Sequence, residues 1–128
     1  MNPIVLDSSA ILVALNAEIG AEKLTPAVMS ASVSSTVNLA EVHSKLVVGG
    51  MDPQDAWEAT LGSVNMSVDF TTVHAELAGN LIAQTRPLGL SLGDRACLAL
   101  GITLGAAVYT ADKAWKRLRL PIPIHVIR

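Results

Sequence analysis

Five short apolar runs, none longer than a single strand, alternate along this chain with capped helical segments, and that alternation leaves few architectures open. The runs are Pro3–Leu6, Ala31–Ser34, Asn65–Asp69, Ala107–Tyr109 and Ile124–Ile127. Between them the spacing predicts a helix from about Ala10, capped by Ser8 or Ser9, and a helical turn after Pro26. A helix over Val37–Val48 follows, with Ser35 or Thr36 as its cap and Gly49-Gly50 as its stop. Asp52-Pro53 places a capping carboxylate before a proline at the first helical position and opens a helix to about Leu61. Thr71 or Thr72 heads a helix over Val73–Gln84, and Arg86–Gly89 reads as a loop. Ser91-Leu92-Gly93-Asp94 is a capping box before the apolar helix Arg95–Leu104, which Gly105 closes. Lys113–Leu118 forms one more short helix. Strands separated by helices cannot be hairpin partners, so the pattern predicts a central parallel sheet covered on both faces, an α/β domain of three layers.

A sheet buried on both faces needs continuous apolar strands, and 51% of the 128 residues are hydrophobic. That length holds one core, so residues 1–128 read as a single domain. The longest apolar stretch, Ala96 to Thr110, is broken by Gly101 and Gly105 and falls short of the roughly 20 residues of a membrane span. No basic segment precedes the first apolar run, so neither a signal peptide nor a membrane partner is expected, and the cytoplasm is the expected location. The one cysteine, Cys97, excludes an internal disulfide and sits among core-type neighbours. A net charge of −2 gives no global affinity for nucleic acid, and 3% aromatic content excludes an extended base-stacking platform. Local charge carries that case: Lys113, Lys116, Arg117 and Arg119 form the one dense basic run, either a solvated helix face or a phosphate contact.

The acidic residues have a more telling placement. Asp7 and Asp112 directly follow expected strands, where a parallel sheet gathers its functional groups. Glu41 lies early in the helix after the second strand, and Asp94 in the first turn of the helix before the fourth. Taken singly, Asp94 and Asp112 are explained by helix capping and by the macrodipole, an effect of about 0.3–1 kcal/mol. Four converging carboxylates would repel one another, so convergence implies a hard cation with oxygen ligands, Mg²⁺ or Mn²⁺. His43, His74 and His125 show no metal-ligand spacing with one another or with Cys97.

The blocks Val5-Leu6-Asp7-Ser8-Ser9-Ala10, Ser35-Thr36-Val37-Asn38-Leu39-Ala40-Glu41-Val42, Leu90-Ser91-Leu92-Gly93-Asp94-Arg95-Ala96 and Tyr109-Thr110-Ala111-Asp112-Lys113-Ala114-Trp115 resemble, in order and spacing, the four signature blocks of PIN domains. The resemblance is nearest to VapC toxins, the ribonuclease halves of toxin–antitoxin pairs. It implies a PIN-like α/β/α fold and an acidic set of Asp7, Glu41, Asp94 and Asp112 holding one or two Mg²⁺ or Mn²⁺ ions. Ser8 and Thr110 are implied as supporting hydroxyls, with Lys113, Lys116 and Arg117 as candidate RNA contacts. It also implies RNA cleavage to 5′-phosphate and 3′-hydroxyl ends, a homodimer, and a VapB-type antitoxin that blocks the acidic site. A phosphoacceptor signalling domain also sets aspartates around Mg²⁺, but it wants paired acids beside the first strand, where this chain has Leu6 and Ser8 around Asp7. The same blocks would also suit a housekeeping RNA-processing nuclease or a non-catalytic PIN-like binding module. The lack of an appended domain favours the toxin, and the full acidic set favours catalysis.

Overall fold

The computed structural model describes residues 2–128. Strands β1 (Ile4–Leu6), β2 (Ser32–Ser35), β3 (Met66–Val68), β4 (Ala107–Thr110) and β5 (Ile124–Val126) form one sheet, all pairs parallel, in the order β3-β2-β1-β4-β5. The chain winds outward from β1 through β2 and β3, returns to lay β4 on the other side of β1, and ends in β5. β1 and β4 therefore flank the point at which the winding reverses, where the carboxyl ends of the strands leave a crevice.

Register explains the layers. Val5 lies beside Val33 on one side and Val108 on the other, and Val108 beside Ile124, so one row of branched side chains crosses the sheet. Helix α7 (Leu92–Leu104) packs Cys97, Leu98 and Leu100 into that face. It comes close because Gly101 has no side chain: a Cβ there would fall 2.5 Å from Val108 Cγ2. Leu6, one residue on from Val5, points to the opposite face. There α1 (Ser8–Asn16) contributes Ala10, Ile11 and Val13, and α3 (Thr36–Val48) contributes Leu39 and Val42. Helices α2 (Pro26–Ser30), α4 (Pro53–Gly62), α5 (Thr72–Asn80) and α6 (Ile82–Thr85) complete the connections, with 3-10 turns at Ala21–Lys23, Arg86–Leu88 and Lys113–Arg117. The expected three-layer α/β/α domain with a central parallel sheet is the observed one.

Local expectations hold in most places and fail in three. Asp52, Ser91 and Gly105 terminate their helices as expected, and Ser35 rather than Thr36 caps α3. The cap of α1, expected at Ser8 or Ser9, is Asp7, whose carboxylate accepts from the Ala10 amide. The single helix expected over Val73–Gln84 divides at Leu81. Its cause is tertiary: Arg95 of α7 donates to the Ala78 carbonyl at 3.0 Å, the acceptor a continuous helix would offer to the amide of Ile82. The segment Arg86–Leu88, expected as open loop, is a 3-10 turn ending at Gly89 with φ +70°. Among the described residues no helix is long and apolar enough to cross a membrane. Cys97 is a free, buried core thiol.

Trp115 anchors the segment after β4. It is 1% exposed and packs into the cluster of Val5, Leu98, Val108 and Leu118. Trp115→Ala should cost about 3–5 kcal/mol of stability, the range for removing a large core aromatic. Urea unfolding followed by far-UV circular dichroism measures it, and a loss below about 1 kcal/mol would show that the segment is not held by this contact.

Candidate active site

The carboxyl ends of β1 and β4 lie side by side, and hydroxyl groups knit them together. Asp7 follows β1 directly and is 3% exposed. Its Oδ1 accepts from the Ala10 amide and from Ser9 Oγ, each at 2.8 Å, and its Oδ2 accepts from Thr110 Oγ1 at 2.6 Å and Ser9 Oγ at 2.9 Å. Ser9 Oγ in turn accepts from the Ala111 amide at 2.9 Å, so the turn after β1 is bonded to the turn after β4. Burial nevertheless outweighs these donors and lifts the Asp7 carboxyl to about 6, with the nearby charge of Asp94 adding to the rise.

Glu41 reaches the same edge from α3. Its Oε1 accepts from Ser8 Oγ at 2.5 Å and from Asn38 Nδ2 at 3.1 Å. Asp94, in the first turn of α7, accepts from the Ser91 amide at 2.8 Å and so closes the capping box. Partial burial raises its carboxyl too, and the charges of Glu41 and Asp112 add to the effect. Asp112, exposed on the far side of β4, caps the turn Lys113–Arg117 through the Ala114 amide at 2.9 Å. Asp94 thus feels Glu41 and Asp112 and acts on Asp7, and among the described residues no cationic side chain pairs with either raised carboxyl.

The four acids occupy one electrostatic neighbourhood, but each turns its oxygens onto a local donor. Among the described residues no three Asp, Glu, His or Cys side chains converge with the geometry to grip one ion. Like charges that share a low-dielectric edge without a counterion adopt such an arrangement, because every available N–H or O–H lowers the cost of the charge. The donor set is hard oxygen throughout, it lacks a balancing cation, and its most buried member is pushed toward neutrality. Those properties fit a divalent ion such as Mg²⁺ or Mn²⁺ held by Asp7, Glu41, Asp94 and Asp112.

Ser8 and Thr110 touch the acids directly, Ser8 through Glu41 and Thr110 through Asp7. Residue patterns alone pass over Ser9, Asn38 and Gly93. Ser9 reads along the chain as a helix cap and nothing more. Asn38 carries a usable signal, since it precedes Glu41 by one helical turn and therefore shares its face. Lys113, Lys116 and Arg117 are not buried, and among the described residues none is ion-paired. His74 caps α5 with Thr71, His43 packs its ring edge-on to Trp57, and His125 stacks on Tyr109. None of the three enters the acidic set.

Two concavities lie away from the acids. One of about 490 Å³ is lined by Leu12, Asn16, Lys45, Leu46, Gly49 and Met51, on α1, α3 and the turn beyond it. The other, about 470 Å³, opens at the amino ends of the strands and includes Pro3, Ala31, Asn65 and Leu104. Neither carries a carboxylate, so the chemistry on offer is at the strand ends.

The chain belongs to the PIN domain family, whose model matches residues 4–120. Its fold is similar to a chain of the DNA-bound VapBC complex from Salmonella typhimurium, with TM-score 0.76 and 17% identity over 100% of both chains. VapBC2 from Rickettsia felis, bound to a DNA fragment from its promoter, matches with TM-score 0.73 and 16% identity over 94% of this chain and 96% of the other. VapBC-1 from nontypeable Haemophilus influenzae gives TM-score 0.67 and 18% identity over 96% of each. No curated protein sequence matches the chain.

The lifted Asp7 carboxyl makes a stability prediction with a definite sign. Folded Asp7 titrates near 6 against an ordinary 3.8, so between these values the folded chain holds more protons than the unfolded one. Its contribution to stability therefore falls as pH rises from about 4 to 6, by on the order of 3 kcal/mol. Asparagine caps helices as well as aspartate does and carries no charge. In chelator, Asp7→Asn should match wild type near pH 4 and exceed it at pH 7 by up to about 3 kcal/mol. Parallel pH profiles of the two urea midpoints would show that Asp7 carries no buried-charge penalty.

Proposed function

We propose that this chain is a Mg²⁺- or Mn²⁺-dependent endoribonuclease, the toxin of a VapBC-type toxin–antitoxin pair, acting in the cytoplasm. The observation that carries the reading is the uncompensated acidic edge. Asp7, Glu41, Asp94 and Asp112 lie at the carboxyl ends of the central strands, within one another's field, in a chain of PIN family. Membership of the family supports the nuclease chemistry, and likeness in fold to chains of VapBC complexes supports the pairing with an antitoxin.

A divalent ion bound there would supply Lewis acidity for in-line attack of water on a phosphodiester and neutralise charge on the phosphate oxygens. Water adds to phosphorus, the bond to the 3′ oxygen breaks, and that oxygen leaves with a proton, giving 5′-phosphate and 3′-hydroxyl ends. Asp7 and Asp94 are the first candidates to hold such an ion directly, and Glu41 and Asp112 would hold it directly or through water. Thr110 and Ser9 orient the Asp7 carboxylate, and Ser8 orients Glu41. Lys113, Lys116 and Arg117 stand just beyond Asp112 within reach of solvent, where they would bind the flanking phosphates. The natural partner in this reading is a VapB-type antitoxin that blocks the acidic edge, and the working form is a homodimer.

Asp7→Asn and Asp94→Asn should each lower Mg²⁺-dependent RNA cleavage by on the order of 10²-fold or more, since the ion supplies several kcal/mol of transition-state stabilisation. Full activity in either variant would remove that residue from the site. Reversing Lys116 and Arg117 together to Glu should weaken RNA binding and flatten its dependence on salt. An unchanged salt slope would return both to the role of a solvated face.

A further inference from the structure

Asn38 and Gly93 do something that neither helix propensity nor packing requires. Asn38 is 1% exposed, and its amide nitrogen donates to Glu41 Oε1 at 3.1 Å, Ser8 Oγ at 3.1 Å and the Gly93 carbonyl at 3.0 Å. Its own side-chain oxygen is buried without any hydrogen-bond partner. A purely structural asparagine has both ends of its amide satisfied, because a buried acceptor left alone costs free energy. Here the donor end is fully committed and the acceptor end is left unpaired, so the residue serves the groups around its nitrogen.

Gly93 supports the same carboxylate from the other side. It is buried within the helical first turn of α7, where its φ does not call for glycine. Alanine is the better helix former at such a position. A Cβ at Gly93, however, would overlap both carboxylate oxygens and the carboxyl carbon of Glu41, so the end of that side chain would have to swing aside and out of its bonds to Ser8 and Asn38. Glu41 is thus seated flat against the first turn of α7, one residue before Asp94. Ser8 and Asn38 both hold Oε1, and among the described residues Oε2 accepts no hydrogen bond.

We infer that Asn38 and Gly93 are positioning residues that seat the Glu41 carboxylate between α3 and α7, Asn38 by pinning Oε1 and Gly93 by leaving the carboxylate room, so that it is held at the acidic edge beside Asp94. This rests on the reading of the acidic edge as a metal site, but the seat itself is testable without metal or RNA. Groups that hold a ligand in place typically govern metal affinity by 10–100-fold, even though they do not touch the ion.

The test combines a double-mutant cycle with a metal titration. In chelator, Gly93→Ala should lower the melting temperature of the wild-type chain by roughly 3 °C or more, a shift readable for a domain of this size. In the Glu41→Ala background the same change should be neutral or stabilising, because the obstacle is gone and only the helix preference remains. Free Mn²⁺ followed by electron paramagnetic resonance should show affinity about 10-fold weaker or more in Asn38→Ala, measured where circular dichroism confirms the variant is folded. Equal melting shifts for Gly93→Ala in both backgrounds would overturn the seat. Unchanged Mn²⁺ affinity in folded Asn38→Ala would overturn its positioning role. A wild-type chain that takes up no Mn²⁺ would defeat the metal reading instead, and the cycle would still decide whether Glu41 is seated by Gly93.

Discussion

A carboxylate buried at the end of the central strand is the constraint around which this molecule is arranged. Asp7 leaves β1 at the position where the winding of the sheet reverses, out of contact with solvent and without a cationic partner. Burying a charge in that way is costly unless donors surround it. The chain supplies them from three places: the backbone at Ala10, the Ser9 hydroxyl and the Thr110 hydroxyl. Because Thr110 belongs to β4 and Ser9 also holds the Ala111 amide, solvating Asp7 also ties the two central strand ends together. The donors do not cancel the penalty, and the remaining deficit is what a divalent ion would relieve.

The acids that share this edge also serve the fold locally. Asp7, Asp94 and Asp112 each cap a helical turn, accepting from the backbone amides of Ala10, Ser91 and Ala114. Capping and ligation are compatible for a carboxylate, which offers more lone pairs than one amide consumes. The caps fix where each side chain starts, and the sheet fixes where the caps stand. Glu41 is the exception, since it caps nothing. It approaches from the second turn of α3, and its position depends on Ser8, Asn38 and the space left by Gly93.

The match to VapBC chains at 16–18% identity shows how little of the sequence the architecture needs. Branched residues in register across β1, β2 and β4, together with a helix that lies flat on them through Gly101, are sufficient to build the sheet and its cover. The division of α5 from α6 illustrates the limit of local reading, since a continuous helical pattern is interrupted by one guanidinium from α7.

Strand positions, helix starts at Asp52, at Ser91 and within one residue of Ser35 and Thr71, and the parallel three-layer class are all legible in the order of residues. Each rests on interactions over a few positions: apolar runs, capping hydroxyls and carboxylates, and glycines at helix ends. The cap of α1 is not legible in this way, because local rules allow Asp7, Ser8 or Ser9 to fill it. The bond from Thr110, 103 residues away, joins those from Ser9 and the Ala10 amide in fixing how the Asp7 side chain turns. Asn38 and Gly93 are invisible as a pair for the same reason. Their meaning lies in a contact across 55 residues, and no pattern along the chain records which helices will meet. Local chemistry set which elements form and where charge is placed, whereas packing alone determined which charges face one another and what stands between them.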